Sequence, residues 1–419
     1  MTFVAIVLCI VVVCLGWMQL LPGLIFARLL FQPKPAVLED AQCPKAAVLL
    51  SVRGNDPFLG DCVASLLRQD YPTFDIRIVV DHETDPSWRV IQDIVTRMNP
   101  SNVTISVLGE KFGTCTLKPN SLLQALSQLD DSYEVIAILD SDAVTHPTWL
   151  KELVAPLQDE TIGVASGNRW YMPQRATIGS LVRYTWNAAA VVQMYFGHFT
   201  WGGSVAIRGS VVRNSKLQDR WRHSIAEDTA IYGEVRASGM KAAFVPSLMI
   251  VNRESCGLLE FYVWMKRQLL VGRLQHAGWH MVFWHAAITS LLLTASVVLL
   301  VAAVATGNGP AVIWLGAGLV AYTVLQTSLL FVLEAGVRKT ARDRNQPTNW
   351  MTLATLGKLA IALPLTQILY SAAIPTIRFM RDVSWRGVKY RIEGPWNIRL
   401  ISYKPFEASK HKEESQASL

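Results

Sequence analysis

The 419-residue chain has no CxxC pair, and its six cysteines, Cys9, Cys14, Cys43, Cys62, Cys115 and Cys256, follow no regular spacing. That argues against a disulfide framework or a zinc site and favours a reducing compartment for the polar part. No Lys/Arg-rich tract with interleaved aromatics sits in the central region. Nucleic acid is therefore not expected as a partner, although 39 basic residues against 32 acidic ones give a formal charge of +7. The surplus suits acidic lipid or phosphorylated substrates. Neither GxGxxG nor GxxxxGK(S/T) occurs, so any nucleotide must be held another way. Charge itself is scarce: 17% of residues are charged and 51% hydrophobic, too apolar for a fully soluble protein. The apolar excess collects before residue 32 and after residue 280.

The first of these regions runs without a charge to Ala27, long enough to span a bilayer. A signal peptide is the rival reading, but a basic leading segment and a small-residue cleavage site are missing. Residues 1–32 are accordingly expected as an anchor. Three more apolar runs, 281–305, 311–333 and 351–376, make up a C-terminal membrane region, 281–376. Arg338, Lys339, Arg342 and Arg344 fill the loop before the last run, which places that loop and the polar middle of the chain in the cytoplasm. A full crossing by 351–376 would put the basic tail, 377–419, outside, against the same rule. Lys358 and Pro364 interrupt the run, so it is read as re-entrant or interfacial, with a cytoplasmic tail. Residues 255–278 mix Trp264, Leu269 and Leu270 with Lys266, Arg267, Arg273 and His276, the pattern of an amphipathic helix lying on a bilayer.

Residues 44–250 alternate between strand and helix patterns. KAAVLLSV (45–52), FDIRIVVD (74–81), NVTISVL (102–108) and EVIAILD (134–140) read as strands, and helical spacing lies between them. This is an α/β domain with a mostly parallel sheet. Ligands of such sheets sit beyond the carboxyl ends of the strands, where Asp81 and the pair Asp140/Asp142 fall. In an extended segment residues i and i+2 point the same way. Asp140 and Asp142 are thus placed to face one hard cation, Mg²⁺ or Mn²⁺, completed by substrate phosphate. Taken alone, an aspartate here is more often a helix cap, Glu227-Asp228 a helix start stabilised by its dipole, and Gly202-Gly203 a bulge.

The order of elements lifts the catalytic reading. SVRGNDPFLGDCVASLLRQDYP (51–72), IRIVVDHETDPS (76–87), KPNSLLQAL (118–126), LDSDAVTHPTWL (139–150), FTWGGSVAIRGS (199–210) and AEDTAIYGEVRASGMKAAFVP (226–246) follow one another, with VSWRGVKYRI (383–392) near the end. In this order and spacing the chain resembles the family 2 inverting glycosyltransferases of the GT-A fold, and more narrowly the membrane-bound ceramide glucosyltransferase group. The resemblance implies a UDP-sugar donor contacted by Arg53, Asp81, Lys118, Asp140, Gly202 and Gly203, a metal at Asp140 and Asp142, and a base at Glu227-Asp228, with Asp228 preferred. It also implies a membrane lipid acceptor, and a bacterial inner membrane is expected over a Golgi-type one. There is one departure. The group carries a (Q/R)xxRW element after the base, whereas here Arg267 stands at its first position and Leu270 and Val271 at its Arg-Trp. Arg273 is the expected substitute cation.

Such a site meets two demands of glycosyl transfer: a cation neutralises the leaving diphosphate, and a carboxylate deprotonates the acceptor hydroxyl. One base without an enzyme nucleophile implies displacement with inversion. Two other readings remain: a processive polysaccharide synthase, which needs more spans and an intact QxxRW, and a silent nucleotide-sugar binder, supported only by the altered element.

Overall fold

The computed structural model describes residues 1–33, 37–348 and 350–407. A long helix, α1 (Thr2–Phe31), leads into the α/β domain. There β1 (Ala46–Val52), α2 (Leu59–Leu66), β2 (Phe74–Val80), α3 (Pro86–Met98), β3 (Val103–Val107), α4 (Leu117–Leu126), β4 (Val135–Leu139) and α5 (Trp149–Val154) alternate. Next come β5 (Ile162–Tyr171), α6 (Ile178–Gly197), β6 (Ser204–Arg208), α7 (Gly209–Asn214), α8 (Leu217–Trp221), α9 (Asp228–Ala237) and β7 (Lys241–Asn252). The remaining helices are α10 (Leu258–Gln275), α11 (Trp279–Ala305), α12 (Gly309–Arg342) and α13 (Leu353–Phe379). Last are β8 (Asp382–Trp385), β9 (Val388–Gly394) and β10 (Asn397–Ser402).

The main sheet has the order β3-β2-β1-β4-β6-β5-β7. Its strands pair in parallel except where β6 runs against β4 and β5. The apolar runs at β1 and β4 are fully covered because helices pack on both faces of the sheet. Local signals set the connections: Asp85 caps α3 by accepting from Ser87 N at 2.9 Å, Pro86 opens that helix, and Asn99 closes it in the left-handed conformation.

Four described helices, α1, α11, α12 and α13, are long and apolar enough to cross a membrane. In α1 and α12 glycines let the backbones approach. A Cβ at Gly23 would lie 2.4 Å from Leu329 Cδ2, and one at Gly318 would lie 3.0 Å from Cys9 Cα. Helix α12 is pinned to the α/β domain through buried Glu334, which accepts from Trp170 Nε1 (2.7 Å), Tyr184 OH (3.1 Å), Trp350 Nε1 (2.9 Å) and Arg338 Nε (2.7 Å).

Helix α13 behaves differently. Near its start Lys358 Nζ donates to Ala176 O (3.2 Å), and at its end Arg378 O accepts from Arg273 Nη1 (3.2 Å). Both ends of a helix about 40 Å long are therefore held by α10 and the α/β domain. The segment after it is not a simple tail. Residues 382–402 form an antiparallel sheet, β10-β9-β8, whose Val383, Val388, Tyr390, Ile392 and Ile398 are buried in the core shared with α4 and α8. The end of the expected tail, 408–419, lies outside the described residues.

Helix α10 also departs from expectation. Trp264, Leu269 and Leu270 do not face outward; Trp264 and Leu269 are buried under α6 and α13, and Leu270 in the core shared with α4, α9 and the C-terminal strands. The apolar side chains that α10 exposes are Leu259 and Val263.

Candidate active site

A cavity of about 290 Å³ lies where the carboxyl end of β4 meets α6, α9, α10, α11, α13 and the β8–β9 turn. Asp140 and Asp142 follow β4 directly and both line it, but through a turn closed by Ala143 N on Asp140 O (3.1 Å) rather than through the extended segment expected. Their neighbours across the cavity come from α9, which opens at Asp228. The head of β6 fits between these carboxylates only because it is glycine. A Cβ at Gly202 would lie 2.0 Å from Glu227 Oε1, and one at Gly203 would lie 2.7 Å from Asp140 Oδ2.

Lys118, near the start of α4, bridges the two sides: its Nζ lies 2.5 Å from both Asp140 Oδ1 and Glu227 Oε1. Burial alone would raise the Asp140 carboxyl, but the adjacent Lys118 ammonium, by charge and hydrogen bond, brings it below the usual range. Burial pushes Glu227 up to about 7 against the pull of the same lysine. Burial also raises Asp228, which Lys118 and the Gly202 amide oppose. Asp228 Oδ2 accepts from Gly202 N at 3.2 Å, and its carboxylate is half-buried and reaches the cavity. Glu227 lines the same cavity but is buried against Lys118, with 2% of its surface exposed.

The acidic set fits a divalent cation held partly by substrate. Asp142 Oδ2 accepts from Asn252 Nδ2 at 3.1 Å, which orients it toward the same space as Asp140. Among the described residues no group of three or more His, Cys, Asp or Glu could hold a metal alone. Two hard carboxylates with phosphate oxygens completing the shell is the pattern of Mg²⁺ sites.

The expected donor residues divide. Arg53, Lys118, Asp140, Asp142, Glu227, Asp228 and Arg267 all line the cavity. Asp81 lies behind Arg53, ion-paired to it, and its Oδ2 also accepts from Tyr403 OH at 3.1 Å. Asp81 Oδ1 is buried without a partner. Arg273 does not reach the cavity. It is six residues from Arg267 on one helix, roughly 240° around the axis, so the two face different neighbours.

Three groups on the wall were not assigned to the site from the sequence, although the quoted segment 383–392 contains two of them. Arg169 of β5 is stacked over Trp264 (4.9 Å to the ring centre). Trp385 and Arg386 come from the β8–β9 turn. The alternation Val383, Trp385, then Val388, Tyr390, Ile392 around Arg386-Gly387 is a hairpin pattern and was available as a signal. The upper wall is apolar: Ala189, Ala190 and Met194 of α6, Val282 of α11 and Tyr370 of α13. Gln193 there meets His285 Nδ1 at 3.2 Å, and Gln367 Oε1 is buried without a partner.

Residues 4–396 match the family described as glycosyl transferase family 21. The chain is 25% identical over 171 residues to a ceramide glucosyltransferase of Gibberella zeae, covering 38% of this chain and 32% of that protein. It is 21% identical over 217 residues to an uncharacterized glycosyltransferase of Haemophilus influenzae, covering 49% of this chain and 65% of that one. The match thus spans about a third of the first relative and just under two thirds of the second. Among solved structures, the mannosyltransferase PcManGT of Pyrobaculum calidifontis, in complex with GDP-Man and Mn²⁺, superposes with a TM-score of 0.54 at 19% identity, over 81% of this chain and 99% of that one. That likeness establishes the GT-A-type fold.

Proposed function

Because the chain belongs to glycosyl transferase family 21, we propose that it transfers a sugar, glucose, from a UDP-sugar to a hydroxyl of a membrane lipid such as ceramide, with inversion. One observation carries this reading. The four carboxylates Asp140, Asp142, Glu227 and Asp228 share a single cavity with apolar side chains of α6, α11 and α13. A donor diphosphate and an acceptor that stays in the bilayer then meet at one place.

In this reading Asp140 and Asp142 hold Mg²⁺ or Mn²⁺, which when bound acts as a Lewis acid on the diphosphate. Lys118 keeps Asp140 ionised and holds Glu227 beside it. Asp228, open to the cavity and oriented by the Gly202 amide, takes the proton of the acceptor hydroxyl. The hydroxyl oxygen then displaces the diphosphate from the opposite face of the sugar carbon. Asp81 Oδ1, a buried acceptor, supports a role in holding a donor N–H of the base. The α/β domain would lie on the cytoplasmic side of a bacterial inner membrane, as the basic loop at Arg338–Arg344 favours.

The test is turnover by purified, detergent-solubilised protein offered UDP-glucose, ceramide and Mn²⁺ or Mg²⁺. The expected product is a β-linked glucosyl lipid. A lengthening glycan would replace this reading with a polysaccharide synthase. UDP binding without transfer to any lipid alcohol would leave a nucleotide-sugar binder.

A further inference from the structure

The cationic side of the cavity is built from places far apart in the chain. Arg267 of α10 is buried, and its guanidinium stands over the Trp385 ring, 4.5 Å from the ring centre. Burial, and after it the charges of neighbouring Arg386 and Arg169, lower its pKa to about 9, so the three guanidiniums repel one another. Neither Arg267 nor Arg169 is ion-paired to a carboxylate among the described residues; both rest on aromatic rings. Arg386 meets Asp56 only at 3.5 Å, and its other contact is the carbonyl of Arg53. Three like charges, of which only Arg386 meets a carboxylate and that one at 3.5 Å, beside the pair Asp140 and Asp142, describe a seat for an anion.

The backbone at Arg386 supports a specific purpose. Trp385 pairs with Val388, so Arg386 and Gly387 form a two-residue hairpin turn. Both have positive φ, 46° and 78°. Gly387 adopts this freely, but an arginine does not, and Asn, Asp or Gly would be the ordinary choice. A long cation held in that conformation points to a function of its side chain. The hairpin is fixed to the donor side at further points. Tyr390 OH accepts from Leu117 N at 3.2 Å, and Lys404 O accepts from Arg53 Nη2 at 2.9 Å.

We propose that the β8–β9 turn is part of the donor site: Arg386 contacts the diphosphate of the nucleotide, and Trp385 seats Arg267 so that it does the same. The cation and ring that α10 lacks at Leu270 and Val271 are thereby supplied from more than a hundred residues downstream. This proposal rests on the glycosyltransferase reading, and its test separates the two.

The experiment measures binding of UDP and of UMP, with Mn²⁺, to the full-length protein in detergent, for wild type, Arg386→Gln, Arg386→Lys and Trp385→Phe. The expected result is that Arg386→Gln loses about tenfold or more in UDP affinity while UMP affinity stays within about twofold. Arg386→Lys should recover part of the UDP preference, and Trp385→Phe, which keeps a ring under Arg267, should retain most of it. An unchanged UDP/UMP ratio in Arg386→Gln, or equal loss of both nucleotides, would make Arg386 a structural latch and overturn the proposal. If wild type prefers GDP to UDP, the base assignment falls and the same ratio is read with GDP and GMP. A wild type that binds no nucleoside diphosphate overturns the donor reading, and this proposal with it.

Discussion

Two buried glutamates in this molecule stand in clusters of opposite character. Glu152 of α5 takes hydrogen bonds from Thr148 Oγ1 (2.8 Å), Ser247 Oγ (2.5 Å) and Arg344 Nη2 (3.0 Å), and its Oε1 lies 2.7 Å from His146 Nε2. Burial pushes its carboxyl up, yet these partners hold it down at about 2. Glu227 shares one lysine with Asp140, and burial pushes it to about 7. The first cluster is saturated with donors and lines no part of the cavity; it pins the loop after α12 to the α/β domain. The second is short of donors and faces the cavity. A buried carboxylate tells little by itself. The supply of donors around it separates a structural pin from a reactive group.

The largest effect expected from this contrast is at Asp228. Asp228→Asn should lower turnover by about a thousandfold, within the range for loss of a general base, with UDP binding unchanged by calorimetry. Activity near wild type would remove Asp228 as the base. Next, Asp142→Ala should cost roughly a hundredfold, the scale for losing one electrostatic stabiliser of developing charge. A titration of Mn²⁺ against turnover should then need more metal; an unshifted titration would place the ion elsewhere.

A smaller, graded effect concerns pH. Asp228 must be ionised to accept a proton, and burial raises its pKa above the ordinary 3.8. The acid limb of the pH–turnover profile should therefore stand above the usual aspartate range, falling about tenfold per pH unit below it. A limb at the ordinary aspartate position would contradict the dominance of burial over Lys118 at Asp228. The smallest effect on turnover is expected in the pinned cluster. Glu152→Gln should leave turnover within about twofold while costing roughly 3 kcal/mol of stability, because Arg344 stays buried without its charge partner. The sign of its pH dependence is opposite to that of a raised acid. The folded pKa lies below the model-peptide 4.5, so the stabilisation is present above that value and is lost as pH falls toward about 2. Thermal melts of wild type and variant should converge at low pH.

The first half of the domain was legible because its signals are local. Four apolar runs became β1 to β4, and Asp140 and Asp142 stand just past the end of a strand, although a turn and not a strand period brings both to the cavity. Arg267, expected at the site, lines the cavity, but Arg273 was not excluded, because helical phase counts only once the buried face of α10 is known. The hairpin at 382–402 was read as a basic tail. Its strands alternate, but their partners are Leu117 and Arg53, far away in the chain, and no local pattern announces that contact. Helix α13 was ambiguous for a related reason: an apolar run has the same composition whether it crosses a bilayer or lies along its surface.

The position of that hairpin in the chain has a consequence for biosynthesis. Residues 382–402 leave the ribosome only after α1, α11, α12 and α13 have all been made. The wall carrying Trp385 and Arg386 cannot close on the α/β domain before then. A nascent chain still engaged with the insertion machinery thus exposes its carboxylates in an incomplete pocket. The cavity is therefore complete only once the last apolar helix and the hairpin behind it have both been made.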